Sequence, residues 1–193
     1  MVEKAEYWSK QYLNQKHGWD IRSVSTPLKA YFDQLTDKSI DILVPGAGFG
    51  WEVAYLFQSG FKNVKMLDFA PEAVEIFKRN FPDFPISQIL IQDFFQHSGN
   101  YDLIVEQTFF SGISPAMRKE YASKCYSLLK ENGKIAGLLF NHEFQSNGPP
   151  FGGTLEEYEK IFAENFIFKK FETSYNSIKP RAERELFFIF QKK

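Results

Sequence analysis

Short apolar runs rich in β-branched and aromatic residues alternate with segments of helical periodicity through most of the chain. Five of these runs predict strands, and they read IDILVP, NVKMLDF, SQILIQD, YDLIVEQ and KIAGLLF. A turn signal or an amphipathic segment follows each of them. This alternation predicts a parallel sheet with crossover helices, in which ligands bind at the carboxyl ends of the strands.

Two further apolar runs, FIFKKFETSY and ELFFIFQKK, lie near the end of the chain. The segment between them is mainly a loop that contains Pro180, and no helical pattern interrupts it. Strands that follow each other without a crossover helix pair antiparallel. We therefore expect these last two strands to be antiparallel neighbours.

Capping signals predict where several helices begin and end. Ser114 as the N-cap and Pro115 at the first helical position begin a helix that ends at KENG, where Gly133 can adopt the left-handed conformation. Thr154 and Glu157 have the spacing of a capping box ahead of LEEYEKIFAENF. Before the first strand, AEYWSKQYLNQ and STPLKAYFDQL are predicted helices, and the loop HGWDIRSV joins them.

Composition narrows the class of protein. A chain of 193 residues with 44% hydrophobic content can bury one sizeable core, so we expect a single domain. The net charge of -1 lacks the basic excess of a nucleic-acid binder, which points to a small-molecule ligand. Cys125 is the single cysteine, which suits a reducing compartment. Without a signal-peptide pattern or a long apolar window, we expect a cytoplasmic protein with no membrane partner. We also expect the protein to be a monomer.

The stretch DILVPGAGFGWEV places Gly46, Gly48 and Gly50 where the first strand turns into a helix. Glycine permits positive φ and close backbone approach, so this turn can press against a ligand. The dinucleotide fingerprint G-x-G-x-x-G would need its third glycine at Trp51, one residue later than the glycine that is present. A nicotinamide-dependent oxidoreductase is therefore the disfavoured alternative.

Acidic residues at the ends of two successive strands favour S-adenosylmethionine, which has no pyrophosphate to neutralise. Asp68 closes NVKMLD, and its paired acceptors suit both ribose hydroxyls. Asp93 closes the third strand, where it can accept from the adenine amino group while Phe94 lines the pocket of the ring. The product would be S-adenosylhomocysteine.

Nine motifs occur along the chain in the order YW…Y…GWD, STPL, LVPGAGFG, LDFAPEA, QDFF, DLIVEQTFF, MR…Y, GPPFGG and SIKPR…ELFF. Together they resemble the thiopurine S-methyltransferase-like group of S-adenosylmethionine-dependent methyltransferases, which includes thiol, halide and thiocyanate methyltransferases. The resemblance implies a Rossmann-like class I methyltransferase fold of the α/β class. That fold has a seven-stranded, mostly parallel sheet with the last strand antiparallel and helices on both faces. Residues 1–38 would form a helical lid over the cofactor, and 39–193 the α/β core.

The resemblance also implies site residues. Trp8, Tyr12 and Trp19 match the aromatic positions that close over the methionine end of the cofactor, where aromatic faces attract a sulfonium and exclude water. Glu106 and Gln107 end the fourth strand, near the methionyl part and the acceptor, and are candidates for positioning. No residue is singled out as a certain catalytic group, and no spacing predicts a metal site.

The acceptor side of the site is predicted from the later motifs. The segment NHEFQSNGPPFGGTLEEY is the candidate acceptor lid, in which Phe151 caps an apolar substrate. Phe109 and Phe110 would form the opposite wall. Arg181 and Arg184, in the last loop, can engage an anionic acceptor or the carboxylate of the cofactor.

Three positions depart from the family pattern: Ala47 and Ser111 replace its usual cysteines, and Arg22 replaces a common glycine. These changes widen the range of possible acceptors. A thiol with a pKa of ~8.5 is partly ionised near neutrality and needs no strong base. We therefore expect methyl transfer to a thiol, thiopurine, halide, thiocyanate, or selenium or tellurium species. A cofactor-binding protein without catalysis is the second alternative.

Overall fold

A computed structural model describes residues 5–145 and 148–193. Met1–Lys4 of the predicted lid region and Ser146 and Asn147 of the predicted acceptor lid lie outside the described residues. The helices of the described part are α1 (Ala5–Leu13), α2 (Thr26–Phe32), α3 (Trp51–Gln58), α4 (Pro71–Asn80), α5 (Phe109–Gly112), α6 (Arg118–Leu128) and α7 (Leu155–Phe162). The strands are β1 (Asp41–Pro45), β2 (Asn63–Asp68), β3 (Ile89–Ile91), β4 (Tyr101–Gln107), β5 (Leu129–Phe140), β6 (Phe166–Thr173) and β7 (Glu185–Lys192).

All of these strands belong to one sheet, in the order β3-β2-β1-β4-β5-β7-β6. The first five strands are mutually parallel, and β7 lies antiparallel between β5 and β6. The predicted seven-stranded sheet with an antiparallel last strand is therefore confirmed. The strand order reverses between β1 and β4, and in such sheets the crevice at the point of reversal receives the ligand.

Helices cover both faces of the sheet, as the alternation of strands and helices predicts. Successive β1 residues belong to opposite cores: Leu43 packs with the aromatic side chains of α5, α6 and α7, whereas Ile42 and Val44 pack with α2, α3 and α4. A third, smaller cluster joins Tyr12 of α1 to Ala73 of α4. Because α4 begins just after β2, this cluster holds α1 over the carboxyl end of the sheet.

The boundary between α6 and β5 differs from the prediction. A 3₁₀ turn at Pro115–Met117 precedes α6, the Ser114 side chain makes no capping hydrogen bond, and the left-handed residue is Asn132 (φ 62°) rather than Gly133. The strand begins at Leu129 and bulges before the ladder resumes, so Gly133 lies inside it. A Cβ at Gly133 would be 2.9 Å from the Lys130 carbonyl oxygen, so glycine serves close approach here.

The capping prediction for α7 agrees with the structure. The Thr154 hydroxyl accepts from the Glu157 amide over 3.3 Å. The Glu157 carboxylate forms an ion pair with the buried Arg118 of α6, with 2.8 Å between Oε1 and Nη1. The helix therefore begins where the capping signal predicts. Within the described ranges, no helix has the length and apolar content needed to cross a bilayer.

The turn after β1 generates a test of the fold. Gly50 (φ 72°) and Gly60 (φ 91°) both have backbone conformations that favour glycine, but only at Gly50 would a Cβ overlap a neighbouring ring, that of the fully buried Phe77. We predict that Gly50→Ala lowers the free energy of unfolding by about 1 to 3 kcal/mol more than Gly60→Ala does. Urea denaturation measures both losses, and equal losses would contradict the overlap.

Candidate active site

A cavity of about 540 Å³ lies at the carboxyl ends of β1, β2 and β4, beneath α1. The turn after β1, the end of β2, the turn after β3 and the start of α5 form its floor. The segment that joins α1 to α2 covers one side of the cavity, and the loop after β5 forms the other. The cavity is therefore in the crevice that the parallel-sheet pattern predicts for a ligand.

Most of the predicted site residues line this cavity. They are Trp8, Tyr12, Trp19, Gly46, Gly48, Asp68, Asp93, Phe94, Gln107, Phe109 and Arg181. Residues that are 173 positions apart in the chain, from α1 to the loop before β7, thus meet around one space. The position of these residues agrees with the resemblance, and their contacts with a ligand stay predictions.

Four predicted site residues do not line the cavity. They are Gly50, Glu106, Phe110 and Phe151. Gly50 is the N-cap residue of α3 and faces the ring of Phe77. The Glu106 side chain points into the core below the cavity, where it is 0% exposed, and Phe110 is 1% exposed. The prediction that Phe110 and Phe151 form walls of the acceptor pocket is therefore corrected, because neither residue lines the cavity.

The glycines of the turn after β1 make room for aromatic side chains. Gly46 and Gly48 both have φ of 56°. A Cβ at Gly46 would overlap the ring of Phe109, and one at Gly48 would lie 2.9 Å from the Tyr12 hydroxyl oxygen. These glycines therefore bring the end of β4 and α1 onto the turn, which closes two walls of the cavity.

Asp68 links the end of β2 to this turn. Its Oδ2 accepts from the Gly48 amide over 2.8 Å, and its Oδ1 accepts from the Ala70 amide over 2.9 Å. Burial raises the pKa of the Asp68 carboxyl, and the two donating amides oppose that rise. A carboxylate oxygen can accept more than one hydrogen bond, so both oxygens keep acceptor capacity for a ligand diol.

The aromatic residues of the lid pack edge to face. The ring centroids of Trp8 and Trp19 are 5.4 Å apart, those of Tyr12 and Trp19 are 5.7 Å apart, and those of Tyr12 and Phe49 are 5.6 Å apart. Burial, followed by the charge of Asp68, raises the pKa of Tyr12, so its phenol is neutral. The lid therefore offers ring faces and edges, the surface that the resemblance predicts around a sulfonium.

Two acidic residues hold the segment between α1 and α2, called here the lid segment, against α3. The sequence analysis does not predict either of them as a site residue. Asp20 Oδ1 accepts from Trp51 Nε1 over 2.8 Å, and Glu52 Oε1 accepts from the Ser25 amide over 3.0 Å. Both acids line the cavity. Acidic residues are common in the first turn of a helix because they interact favourably with the helix dipole. The sequence position of Glu52 therefore does not indicate a role in the site.

Gln107, a predicted positioning residue, has a buried acceptor. Its Oε1 has no hydrogen-bond partner among the described residues. Because a buried carbonyl oxygen without a donor is unfavourable, this position fits a ligand N–H or ammonium group. The orphaned oxygen lies in the wall where the resemblance implies the methionyl part of the cofactor.

Glu106 belongs to a buried network beneath the cavity. Tyr121 Oη donates to Glu106 Oε2 over 2.6 Å, and the Phe110 amide donates to Oε1 over 2.9 Å. Burial raises the pKa of the Glu106 carboxyl to about 7, although both donors lower it. The network holds the start of α5 against β4, and so it positions Phe109 from below.

A buried arginine supports the loop between β5 and α7, called here the acceptor-side loop, which contains the predicted acceptor lid. Arg118 is 2% exposed; its Nη1 lies 2.8 Å from Glu157 Oε1, and its Nη2 donates to the Gly152 carbonyl oxygen over 2.7 Å. Its guanidinium carbon lies 4.8 Å from the centroid of the Phe110 ring. The Phe151 amide donates to the Ser111 carbonyl oxygen over 2.7 Å. The loop is therefore fixed through its backbone.

Apolar side chains and the Arg184 guanidinium share the end of the cavity where the later motifs predict the acceptor. Its lining residues there are Phe109, Phe140, His142, Phe144, Pro149, Pro150, Pro180 and Arg184. Arg184 Nη2 lies 2.6 Å from His142 Nε2. Because a guanidinium can only donate, Nε2 holds the lone pair and the ring proton is on Nδ1. Burial, followed by the charge of Arg184, lowers the pKa of His142, so the ring is neutral.

Metal ligands are not grouped in the described part of the chain: no set of three or more His, Cys, Asp or Glu side chains there could hold an ion.

Ser111 and Ala47, which replace family cysteines, have ordinary surroundings. The Ser111 hydroxyl donates to the Thr108 carbonyl oxygen over 2.7 Å, and Ala47 lines the cavity. Arg22 is exposed, with a φ of 58°.

Comparisons with known proteins agree with this geometry. The family model described as thiopurine S-methyltransferase matches residues 3–192. Probable thiol methyltransferase 2 of Arabidopsis thaliana is 31% identical over 160 residues, which are 80% of this chain and 70% of that protein. Thiocyanate methyltransferase 1 of Brassica oleracea is 28% identical over 185 residues, 92% and 81% of the two chains. Thiopurine S-methyltransferase of Vibrio parahaemolyticus is 24% identical over 176 residues, 82% and 81% of the two.

Solved structures share the fold. The 1,6-didemethyltoxoflavin-N1-methyltransferase of Burkholderia thailandensis, with bound S-adenosylhomocysteine, has a TM-score of 0.77 and 16% identity, over 98% of this chain and 87% of that one. The magnesium protoporphyrin IX methyltransferase of Synechocystis PCC 6803, with bound S-adenosylmethionine, has a TM-score of 0.76 and 11% identity, over 100% and 99%. The predicted class I methyltransferase fold is confirmed.

The position of Asp68 generates a test of cofactor binding. We predict that Asp68→Asn weakens S-adenosylhomocysteine binding about tenfold to a hundredfold, because ribose hydroxyls lose a charged acceptor. Calorimetry should compare this ligand with its 2′,3′-dideoxy analogue. The parent should prefer the complete ligand strongly, and the variant should lose most of that preference. A folded variant that keeps the full preference would place the ribose elsewhere.

The raised pKa of Glu106 generates a test of stability against pH. The folded state holds this proton up to about pH 7, whereas the ordinary value is 4.5, so the folded state binds more protons between those values. Stability should therefore fall as pH rises through this window, by about 1 to 3 kcal/mol from this group. Urea midpoints across the window measure the slope. Glu106→Gln should flatten it, and Glu120→Gln, at an exposed carboxylate, should not; an unchanged slope in Glu106→Gln would contradict the assignment.

Proposed function

The chain belongs to the thiopurine S-methyltransferase family, and from this premise we propose that the acceptor of its methyl group is a small, soft nucleophile that reacts as an anion, foremost a thiolate. The protein is an S-adenosylmethionine-dependent methyltransferase. The oxidoreductase and the non-catalytic binding protein are thereby set aside. The relatives are named for thiol, thiocyanate and thiopurine acceptors, which are all sulfur nucleophiles.

The residues present fit the cofactor. Asp68 offers a fixed carboxylate for a ribose diol, and Gln107 offers a buried acceptor without a partner among the described residues. The lid aromatics cover the space between them. S-adenosylmethionine supplies an activated methyl group on a sulfonium sulfur. The task of the protein is to align the acceptor with that methyl group and to exclude water.

The lining of the acceptor end supports a soft anion, and this observation carries the proposal. Its walls are mostly aromatic rings and prolines, and Arg184 adds one exposed guanidinium. A thiolate or a large halide loses less hydration free energy on entering such a pocket than a small oxyanion does. A guanidinium beside apolar walls therefore favours polarizable anions over neutral alcohols and protonated amines.

Proton abstraction by the enzyme is poorly supported by the geometry. The lone pair of His142 faces Arg184, and Glu106 is sealed in the core. The carboxylates that line the cavity already accept hydrogen bonds from the protein. Asp68, Asp93 and Glu52 accept from main-chain amides, and Asp20 accepts from the Trp51 ring and the Arg22 amide. A general base must reach the proton that it removes. We infer that the acceptor arrives already ionised.

We also propose that the enzyme is a cytoplasmic monomer. Its buried Cys125 is free, as a reducing compartment allows. The exposed large apolar residues of the described part are divided among α1, the two sheet edges and a loop, and they are Leu13, Ile86, Ile91, Ile167 and Tyr175. Such scattered residues are ordinary for a monomer. Light scattering at micromolar concentration should give the monomer mass, and a dimer mass would contradict the proposal.

Since no described residue is placed as a base, the acceptor itself should set how the methylation rate depends on pH. For aromatic thiols of similar shape and different acidity, at saturating cofactor, the methylation rate should rise about tenfold per pH unit below the pKa of each thiol. The midpoint should follow the acceptor from one thiol to the next. Labelled methyl product is measured by mass spectrometry. A common midpoint set by the enzyme would overturn the proposed mechanism.

A matched variant separates acceptor binding from acceptor ionisation. Arg184→Gln should raise KM for ionised thiols about fivefold, as for one exposed ion pair, and leave each midpoint in place. The same assay should include amines and alcohols. If these react faster than every thiol and halide tested, the soft-nucleophile proposal is wrong while the family and the fold stand.

A further inference from the structure

The segment between α1 and α2, residues 14–25, carries Trp19 over the cavity and has no helix or strand of its own. The edge-to-face ring contacts described above hold the aromatic side chains of the segment. Hydrogen bonds hold its main chain and its polar side chains. Trp51 and Glu52 supply two of them from α3.

Another polar contact comes from the opposite side of the cavity. Arg181, which precedes β7, donates from Nη2 to the Trp19 carbonyl oxygen over 2.7 Å, across 162 positions of sequence. Arg181 and Trp19 both line the cavity. This hydrogen bond therefore joins the loop before β7 to the segment between α1 and α2, whereas the contacts of Trp51 and Glu52 join that segment to α3.

Arg181 is itself held rigidly. It is 8% exposed, and its Nη1 lies 3.2 Å from Glu185 Oε1. The other Glu185 oxygen accepts from the Ser177 hydroxyl over 2.7 Å, and the Arg181 guanidinium carbon lies 5.5 Å from the centroid of the Phe140 ring. A buried, neutralised guanidinium makes a strong and well-oriented hydrogen bond to a carbonyl group.

We propose that Arg181 is a positioning residue that fastens the Trp19 segment over bound cofactor and so limits the rate at which S-adenosylhomocysteine leaves. The proposal rests on the methyltransferase function. It replaces the predicted role of Arg181 as a receptor for an acceptor anion, because Nη1 and Nη2 are directed to Glu185 and to Trp19. The cationic group that faces the acceptor is then Arg184.

This arrangement separates two kinetic quantities. The ligand beneath Trp19 can leave when the segment lifts, and lifting breaks the hydrogen bond from Arg181 to the Trp19 carbonyl. The acceptor-side loop is held by Arg118, which has no part in that bond. Loss of the Arg181 contact should therefore speed release of the adenosyl ligand and leave the affinity for the acceptor in place.

The test measures dissociation of S-adenosylhomocysteine by stopped-flow tryptophan fluorescence in the full chain. Arg181→Gln should raise the dissociation rate constant about tenfold, while the acceptor KM at saturating cofactor stays within about twofold. Arg181→Lys, which keeps the charge and can still donate, should recover part of the slow release. A purely structural role would not produce this split between release and acceptor KM.

Two further variants keep the result interpretable. Arg181→Gln leaves the Glu185 carboxylate buried without its partner, so Arg181→Gln combined with Glu185→Gln removes both charges and should still release the ligand quickly. Arg184→Gln, at the neighbouring arginine of the same loop, should change the acceptor KM and not the release rate. This pair of arginines gives opposite expected patterns.

The possible outcomes separate the two proposals. If folded Arg181 variants release the ligand at the parent rate, the positioning role is overturned. If their acceptor KM also rises, the predicted role of Arg181 in binding the acceptor is restored. If the parent itself does not bind S-adenosylhomocysteine in calorimetry, the methyltransferase function fails, and the positioning role fails with it. Fast release with an unchanged acceptor KM supports both.

Discussion

The hydrogen bond from the Gly48 amide to the Asp68 carboxylate is the contact on which the site depends. It joins the turn after β1 to the end of β2, and the turn can take that path only because its glycines adopt positive φ. With the turn so placed, Phe109 and Tyr12 approach where a Cβ would obstruct them. The shape of the cavity, the position of α1 over it and the orientation of the Asp68 carboxylate therefore all depend on the backbone geometry of this one turn.

Buried charged side chains support the loops around the cavity and leave the chemistry to the bound ligands. Glu52 holds the lid segment, Glu106 holds the start of α5, and Arg118 and Arg181 each donate to a main-chain carbonyl of a loop. A displacement at a sulfonium carbon needs alignment and exclusion of water more than acid or base catalysis. These four residues hold loops and the start of a helix in place around the cavity, as a reaction that depends on alignment requires.

The fold and the floor of the site could be predicted from local signals, because strand periodicity, the glycine spacing and acidic strand ends are all short-range patterns. The sequence could not predict which of two adjacent residues faces the cavity. Phe109 and Phe110 are adjacent, yet α5 directs one to the cavity and the other to the core. Arg181 looked like a loop arginine, and its burial arises from partners at Glu185 and Trp19 that only the tertiary structure brings together.

A crystal structure of the complex with S-adenosylhomocysteine would test the account most directly. The account predicts the ribose hydroxyls within hydrogen-bond distance of the Asp68 carboxylate and the nucleoside against the turn after β1. It also predicts the sulfur facing the end of the cavity that Phe109 and Arg184 line, with Trp19 closed over the ligand. A nucleoside bound away from Asp68, or a sulfur turned away from that end, would contradict it.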